Sequence, residues 1–151
     1  MIKPIRLGIL PVKRRVLDLS RAAREKDLLL ERIRPIHPEL VELVDLDEVC
    51  EQGVLYKEEN IAAVVETFRR AEVDGIFLCH CDFGEETAAV RVLRHFDVPV
   101  LLWGSRDQAP NTYETRGRDT QCGMFASSKV LARHHIKYSY LTNVALETEA
   151  F

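Results

Sequence analysis

Gly75-Ile-Phe-Leu-Cys-His-Cys81 is an unbroken, largely apolar run. Such a run reads as a strand buried on both faces, the mark of a parallel sheet covered by helices on either side. Upstream, Ile5 to Leu10 is a shorter apolar run closed by Pro11, and Leu40 to Leu46 is a further strand. Between them, from about Asp18 to Arg34, a helical stripe runs through Leu19, Ala22, Ala23, Leu29, Leu30 and Ile33. Lys26 interrupts it with a stem able to snorkel. Asn60 caps a helix with Ile61, Val64, Val65 and Phe68 on its apolar face. Downstream, Gly84 to Phe96 reads as a helix with Ala89, Val92, Leu93 and Phe96 inward, and Val98 to Trp103 as a strand with Pro99 at its entry. A helix capped by Asp119 turns Phe125, Ser128, Leu131 and Ala132 inward, and Lys137 to Leu141 is the last strand.

Strict alternation of strands and helices demands right-handed crossovers. The fold class is therefore α/β: a doubly wound, flavodoxin/Rossmann-like three-layer sandwich on a five-stranded parallel sheet. Ligands of such sheets sit at the carboxyl ends of the strands. Here those ends carry Arg14 and Arg15, His80 to Phe83, and the loop from Gly104 to Arg118.

At 151 residues, 46% hydrophobic and 30% charged, the chain reads as one compact domain over residues 1–151. Its net charge of -3 offers no overall attraction to nucleic acid or an anionic membrane. No apolar run is long enough for a bilayer, and Met1-Ile-Lys-Pro-Ile-Arg leads straight into a strand with no signal-peptide core, which points to the cytoplasm. Cys50, Cys79, Cys81 and Cys122 then read as reduced thiols.

The residues after the first strand, Pro11-Val-Lys-Arg-Arg, lack the closely spaced glycines that admit a pyrophosphate, so no nucleotide cofactor is expected. Glu85 and Glu86 occupy the first turn of the following helix, where they stabilise its dipole and repel an anion. The period of two sets Cys79 and Cys81 on one face and His80 on the other, poor geometry for zinc. His80 is read either as a ligand contact or as a histidine hydrogen-bonded to backbone. Cys122, third in its helix, has the dipole and Arg116 and Arg118 to lower its thiol, but with no base beside it inert packing is the favoured reading. Asp119 as N-cap leaves the first-turn N–H groups of Thr120, Gln121 and Cys122 as a polar cradle. Arg14, Arg15, Arg106, Arg116 and Arg118 all fall on loops that the topology gathers at one edge, as a solvated rim or as a binding set. Phe83 and Trp103 at that edge either stack on an apolar or sugar face or enter the core, the usual fate of a strand-end aromatic.

Three stretches together, Gly8-Ile-Leu-Pro11 to Arg15, Cys79 to Phe83, and Arg118-Asp-Thr-Gln-Cys-Gly123, resemble the N-terminal domain of the L-fucose/L-arabinose isomerase family, fucose isomerase-like members above all. The resemblance spans nearly the whole chain, and its most specific motif is the last. It implies aldose–ketose isomerisation through an enediol, with Mn²⁺ in the full enzyme and none bound by this chain, because the family's metal ligands lie in later domains. It implies substrate-binding roles for Arg14 or Arg15, for His80 or Phe83 toward a neighbouring subunit's pocket, and for Arg118, Asp119 and Cys122 at the helix start. No catalytic residue is expected in this chain, which would be inactive alone. The expected partners are a sugar or other small molecule and further copies in a homo-oligomer. His80 stands where some members carry tryptophan, which leaves the sugar open. The alternatives are a stand-alone small-ligand or anion-binding module using the loop arginines, or an oligomerisation module.

Overall fold

The computed structural model describes residues 3–107, 112, 114, 117–142, 144–149 and 151. Five strands, β1 (Ile5–Val12), β2 (Val41–Val44), β3 (Gly75–His80), β4 (Val100–Gly104) and β5 (Ser139–Leu141), form one sheet in the order β2-β1-β3-β4-β5. All four pairings are parallel. The helices are α1 (Leu19–Ile33), α2 (Ile61–Arg70), α3 (Glu86–Leu93) and α4 (Thr120–Arg133). This is the flavodoxin-like doubly wound order expected of alternating strands and helices.

The strand period divides the core into two layers. Leu10, Val12, Ile76, Leu78, Val100 and Leu102 pack with Val64 and Phe68 of α2, Val92 and Leu93 of α3, and Met124 and Leu131 of α4. Ile9, Phe77, Cys79 and Trp103 face the other way, onto Leu29 and Leu30 of α1 and Leu146. All six residues of β3 are buried, as its apolar run requires.

Several boundaries move for identifiable reasons. Pro11 lies inside β1 instead of closing it, because β2 pairs with β1 only as far as Gly8. Beyond that point the ladder makes no demand for the N–H that proline lacks, and the Pro11 carbonyl accepts from Leu55 N at 2.8 Å. Helix α3 begins at Glu86, since Gly84 holds a left-handed turn (φ +79°) in which a side chain would run into the His80 ring. Lys26 does not snorkel: it is buried, with its ammonium 2.6 Å from Asp47 and 3.2 Å from Asp27. Burial opposes its charge, but the two carboxylates outweigh that and raise its pKa.

Helix α4 departs furthest from expectation. Its buried face is Thr120, Gly123, Met124, Ser127 and Leu131, whereas Phe125 is 67% exposed, Ser128 half-buried and Ala132 exposed. The cause is Gly123, which lies so close to the Phe83 carbonyl oxygen that a β-carbon there would overlap it. The helix turns its smallest residue to the sheet, and the apolar stripe rotates away. Trp103, the other edge aromatic, is sealed in the core; its indole donates to the Val144 carbonyl at 3.1 Å, with Phe77 and Phe151 against the ring.

Candidate functional site

The strand order reverses direction between β1 and β3, and a crevice opens there at the carboxyl ends of the strands. Parallel register sets Val12 beside His80, so the segments leaving the two strands, Lys13–Arg14 and Cys81–Gly84, run side by side. Asp82 ties them together. Its buried Oδ1 accepts from Arg14 N at 2.7 Å and from Gly84 N at 2.8 Å. The second of these closes an Asx-turn. Its Oδ2 is buried with no hydrogen-bond partner, and burial pushes the carboxyl up in pKa despite the two donors.

Lys13 is 1% exposed and braces the first segment: Nζ donates to the Arg14 carbonyl at 2.8 Å and stands 4.4 Å over the Tyr56 ring. Burial lowers its pKa. Arg14 is thereby fixed at its backbone, and its guanidinium lies 4.4 Å over the Phe83 ring, a cation–π stack. Nη1 is 3.3 Å from Glu85 Oε1 and 3.3 Å from Glu86 Oε2.

His80 supports this turn from below. It is 1% exposed, with Nδ1 2.9 Å from the Phe83 carbonyl and Nε2 3.0 Å from Ser127 Oγ. Burial drives its pKa down to about 4, so the ring is neutral. A neutral imidazole with both nitrogens engaged holds α4 to the β3–α3 turn.

Across the crevice stands the approach to α4. Arg118 is buried, with Nη1 2.7 Å from Glu25 Oε2, Nη2 donating to the Arg106 carbonyl at 2.7 Å, and Nε 3.8 Å from Asp107 Oδ1. Asp119 occupies the capping position in a left-handed conformation (φ 55°) and its side chain makes no capping hydrogen bond. Asp107 does that work instead, accepting from Thr120 N at 3.2 Å, Thr120 Oγ1 at 3.0 Å and Gln121 N at 3.4 Å. Two of the three N–H groups expected as a cradle at the start of this helix, those of Thr120 and Gln121, are thus taken by the chain's own carboxylate.

Of the residues singled out from sequence, Arg14, Phe83, Arg118 and Asp119 line one cleft of about 150 Å³, together with Val16, Leu17 and Gly117. Arg15 and Cys122 are exposed outside it, His80 lies beneath it, and Arg116 falls outside the described residues. Cys50, Cys79 and Cys81 are buried thiols, and burial raises the pKa of each, to about 11 for Cys50. A separate apolar cavity of about 210 Å³, lined by Leu7, Ile33, Val41, Phe77 and Leu101 among others, has no polar side chain to orient a ligand.

Lys13, Asp82 and Asp107 were missed by sequence reasoning. Asp82-Phe-Gly84 carried a local signal, an Asx-turn spacing. Asp107 carried none, because it reaches α4 across the whole intervening loop. Mn²⁺ does not fit these residues: Glu85 and Glu86 converge on a guanidinium, and among the described residues no three His, Cys, Asp or Glu side chains gather as ligands.

Fold and cleft define a doubly wound α/β domain with a crevice at its topological switch point. Residues 8–151 match the sequence model of the fucose/sulfoquinovose isomerase N-terminal domain, and the chain belongs to that family. No curated protein matches the sequence. Among solved structures, the transcription regulator CcpA of Lactococcus lactis is similar over 91% of this chain and 59% of its own, with 14% identity and a TM-score of 0.43. Among the described residues no helix is long and apolar enough to cross a membrane.

Proposed function

We propose that this chain acts as the N-terminal domain of an aldose–ketose isomerase, and that the Arg14–Phe83 shelf is one wall of a sugar pocket completed by a neighbouring subunit. The shelf itself carries the reading: a guanidinium stacked on an aromatic ring offers a flat apolar face for sugar C–H groups and donors for hydroxyls. Small-ligand pockets hold roughly 300–1,000 Å³, and this cleft, at about 150 Å³, is half a pocket. Val16, 86% exposed on its rim, is the kind of apolar side chain a partner subunit covers. A cytoplasmic homo-oligomer belongs to the same proposal.

In this assignment Phe83, not His80, presents the third-strand aromatic. His80 positions the turn, and Arg118 and Asp119 form the opposite wall. Proton abstraction next to a carbonyl needs a placed base and charge stabilisation for the enediol, and the base comes from elsewhere in the assembly.

Amide chemical shifts of the isotope-labelled chain, titrated with L-fucose, test the reading. Arg14, Phe83, Gly84 and Asp119 are expected to move, and Arg14→Met to abolish the change. The chain alone, with added Mn²⁺, is expected to show no isomerisation of L-fucose or L-arabinose. Turnover, or a shift map confined to another face, overturns it.

A further inference from the structure

We infer that the cleft selects an uncharged, hydroxyl-rich sugar and rejects sulfonated or phosphorylated ones, with Glu85 and Glu86 as the specificity-determining residues. The inference rests on the reading of the shelf as a sugar-pocket wall and concerns which sugars that wall accepts.

An oxyanion is ordinarily met by an arginine fork or by the N–H groups of a helix N-terminus. This cleft has both, and each already faces the chain's own carboxylates. Arg14 faces Glu85 and Glu86, each at 3.3 Å from Nη1, so one positive charge meets two negative ones. Arg118 faces Glu25 at 2.7 Å and Asp107 at 3.8 Å, again one against two. Glu85 and Glu86 also stand at the first turn of α3, where they take the favourable end of that helix dipole. At α4, Asp107 holds the N–H groups of Thr120 and Gln121. An arriving sulfonate would have to displace a carboxylate and then remain beside another.

The surplus at this turn is of acceptors. Asp82 Oδ2, beside Phe83, has no hydrogen-bond partner, and Glu86 Oε2, at the start of α3, has the 3.3 Å ion pair with Arg14 but no hydrogen bond. Carboxylate oxygens accept hydrogen bonds when ionised. The surroundings of Arg14 are therefore rich in carboxylate acceptors. Hydroxyl groups donate, whereas sulfonate and phosphate oxygens, ionised at neutral pH, do not.

The test uses inorganic sulfate at constant ionic strength, followed through the Arg14 Nε–H and the Gly84 amide. Wild type is expected to give no saturable shift. Glu85→Gln with Glu86→Gln exposes the Arg14 charge, and sulfate then binds saturably there, about tenfold or more tighter than any residual wild-type affinity. The single substitution Glu85→Gln, which leaves Glu86 in place, is expected to give an intermediate gain and serves if the double variant folds poorly. Saturable sulfate binding at Arg14 in wild type overturns the inference, as does no gain in either folded variant. L-fucose titrated in parallel separates the two proposals: a silent cleft there sinks the sugar-wall reading, while the sulfate result alone decides charge selection.

Discussion

The two walls of the cleft are built in opposite ways. The start of α4 is turned inward: Arg118 is buried on Glu25, Thr120 is buried on Ser105 and Asp107, and Gly123 is pressed against the Phe83 carbonyl. The end of β1 is turned outward: its backbone is locked by Asp82 and Lys13, and the guanidinium of Arg14 lies on the open shelf. A motif with a distinctive sequence is thus fixed here largely by packing, while an ordinary basic loop supplies the accessible chemistry. The first wall can be broken by changing shape, the second only by changing charge.

The largest expected effect follows from that contrast. Gly123→Val drives a branched side chain into the Phe83 backbone, in a turn held by His80 and by Asp82. Overpacking against backbone of this kind costs about 3 kcal/mol or more. Glu85→Gln, on the outward wall, changes stability by about 0.5 kcal/mol or less, as partly exposed ion pairs do. Urea unfolding of the two variants beside wild type measures the difference. Similar losses in both would erase the distinction between the walls.

Much of this architecture was legible because it rests on local periodicity. The buried run of β3 and the stripes of α1 and α2 follow from residues that are neighbours in sequence, and the four apolar positions of α2 are all buried. The face of α4 was not legible, since nothing near Gly123 announces a close approach to Phe83, 40 residues earlier. Its cap failed for the same reason: Asp119 has the right residue type at the right place, but Asp107, reaching in from the loop, supplies the bonds. Of the expected site residues, Arg14, Phe83, Arg118 and Asp119 do share one cleft, because strand order alone gathers them. Sequence could not say which of their charges would already be neutralised, since the pairs of Arg14 with Glu85 and Glu86 and of Arg118 with Glu25 join different loops and helices.

The joint between the walls is His80, and its titration gives the next effect. Its folded-state pKa of about 4 lies below the ordinary 6.5, because burial disfavours the imidazolium. The unfolded chain therefore binds the proton more readily, so the contribution of His80 to stability is complete above pH 6.5 and is lost as pH falls towards 4. Between pH 7 and pH 5 that amounts to about 2 kcal/mol. Asp82 acts in the opposite sense at the acid end, since burial raises its carboxyl and folding gains as it protonates. His80→Gln keeps hydrogen-bonding capacity without the proton, and is expected to lower stability at pH 7 while flattening its pH dependence between pH 7 and 5. An unchanged slope in the variant would mean that another group governs this range.

A smaller effect than that of His80 separates a helix start filled from within from one that could serve a ligand. Asp107→Ala removes the acceptor for Thr120 N, Thr120 Oγ1 and Gln121 N, together with the longer contact to Arg118. Loss of a cap costs about 1 kcal/mol, and Asp107→Asn, which keeps an acceptor, should lose less. The deletion also vacates an anion position at the end of a 14-residue helix, beside the buried guanidinium of Arg118. Added sulfate should then recover part of the lost stability of Asp107→Ala by binding only its folded form, while wild type gains nothing comparable. Thermal melts in sulfate against chloride at matched ionic strength read this out directly. If sulfate stabilises wild type as much as the variant, Asp107 does not occupy that position in solution, and the inward wall offers an anion site after all.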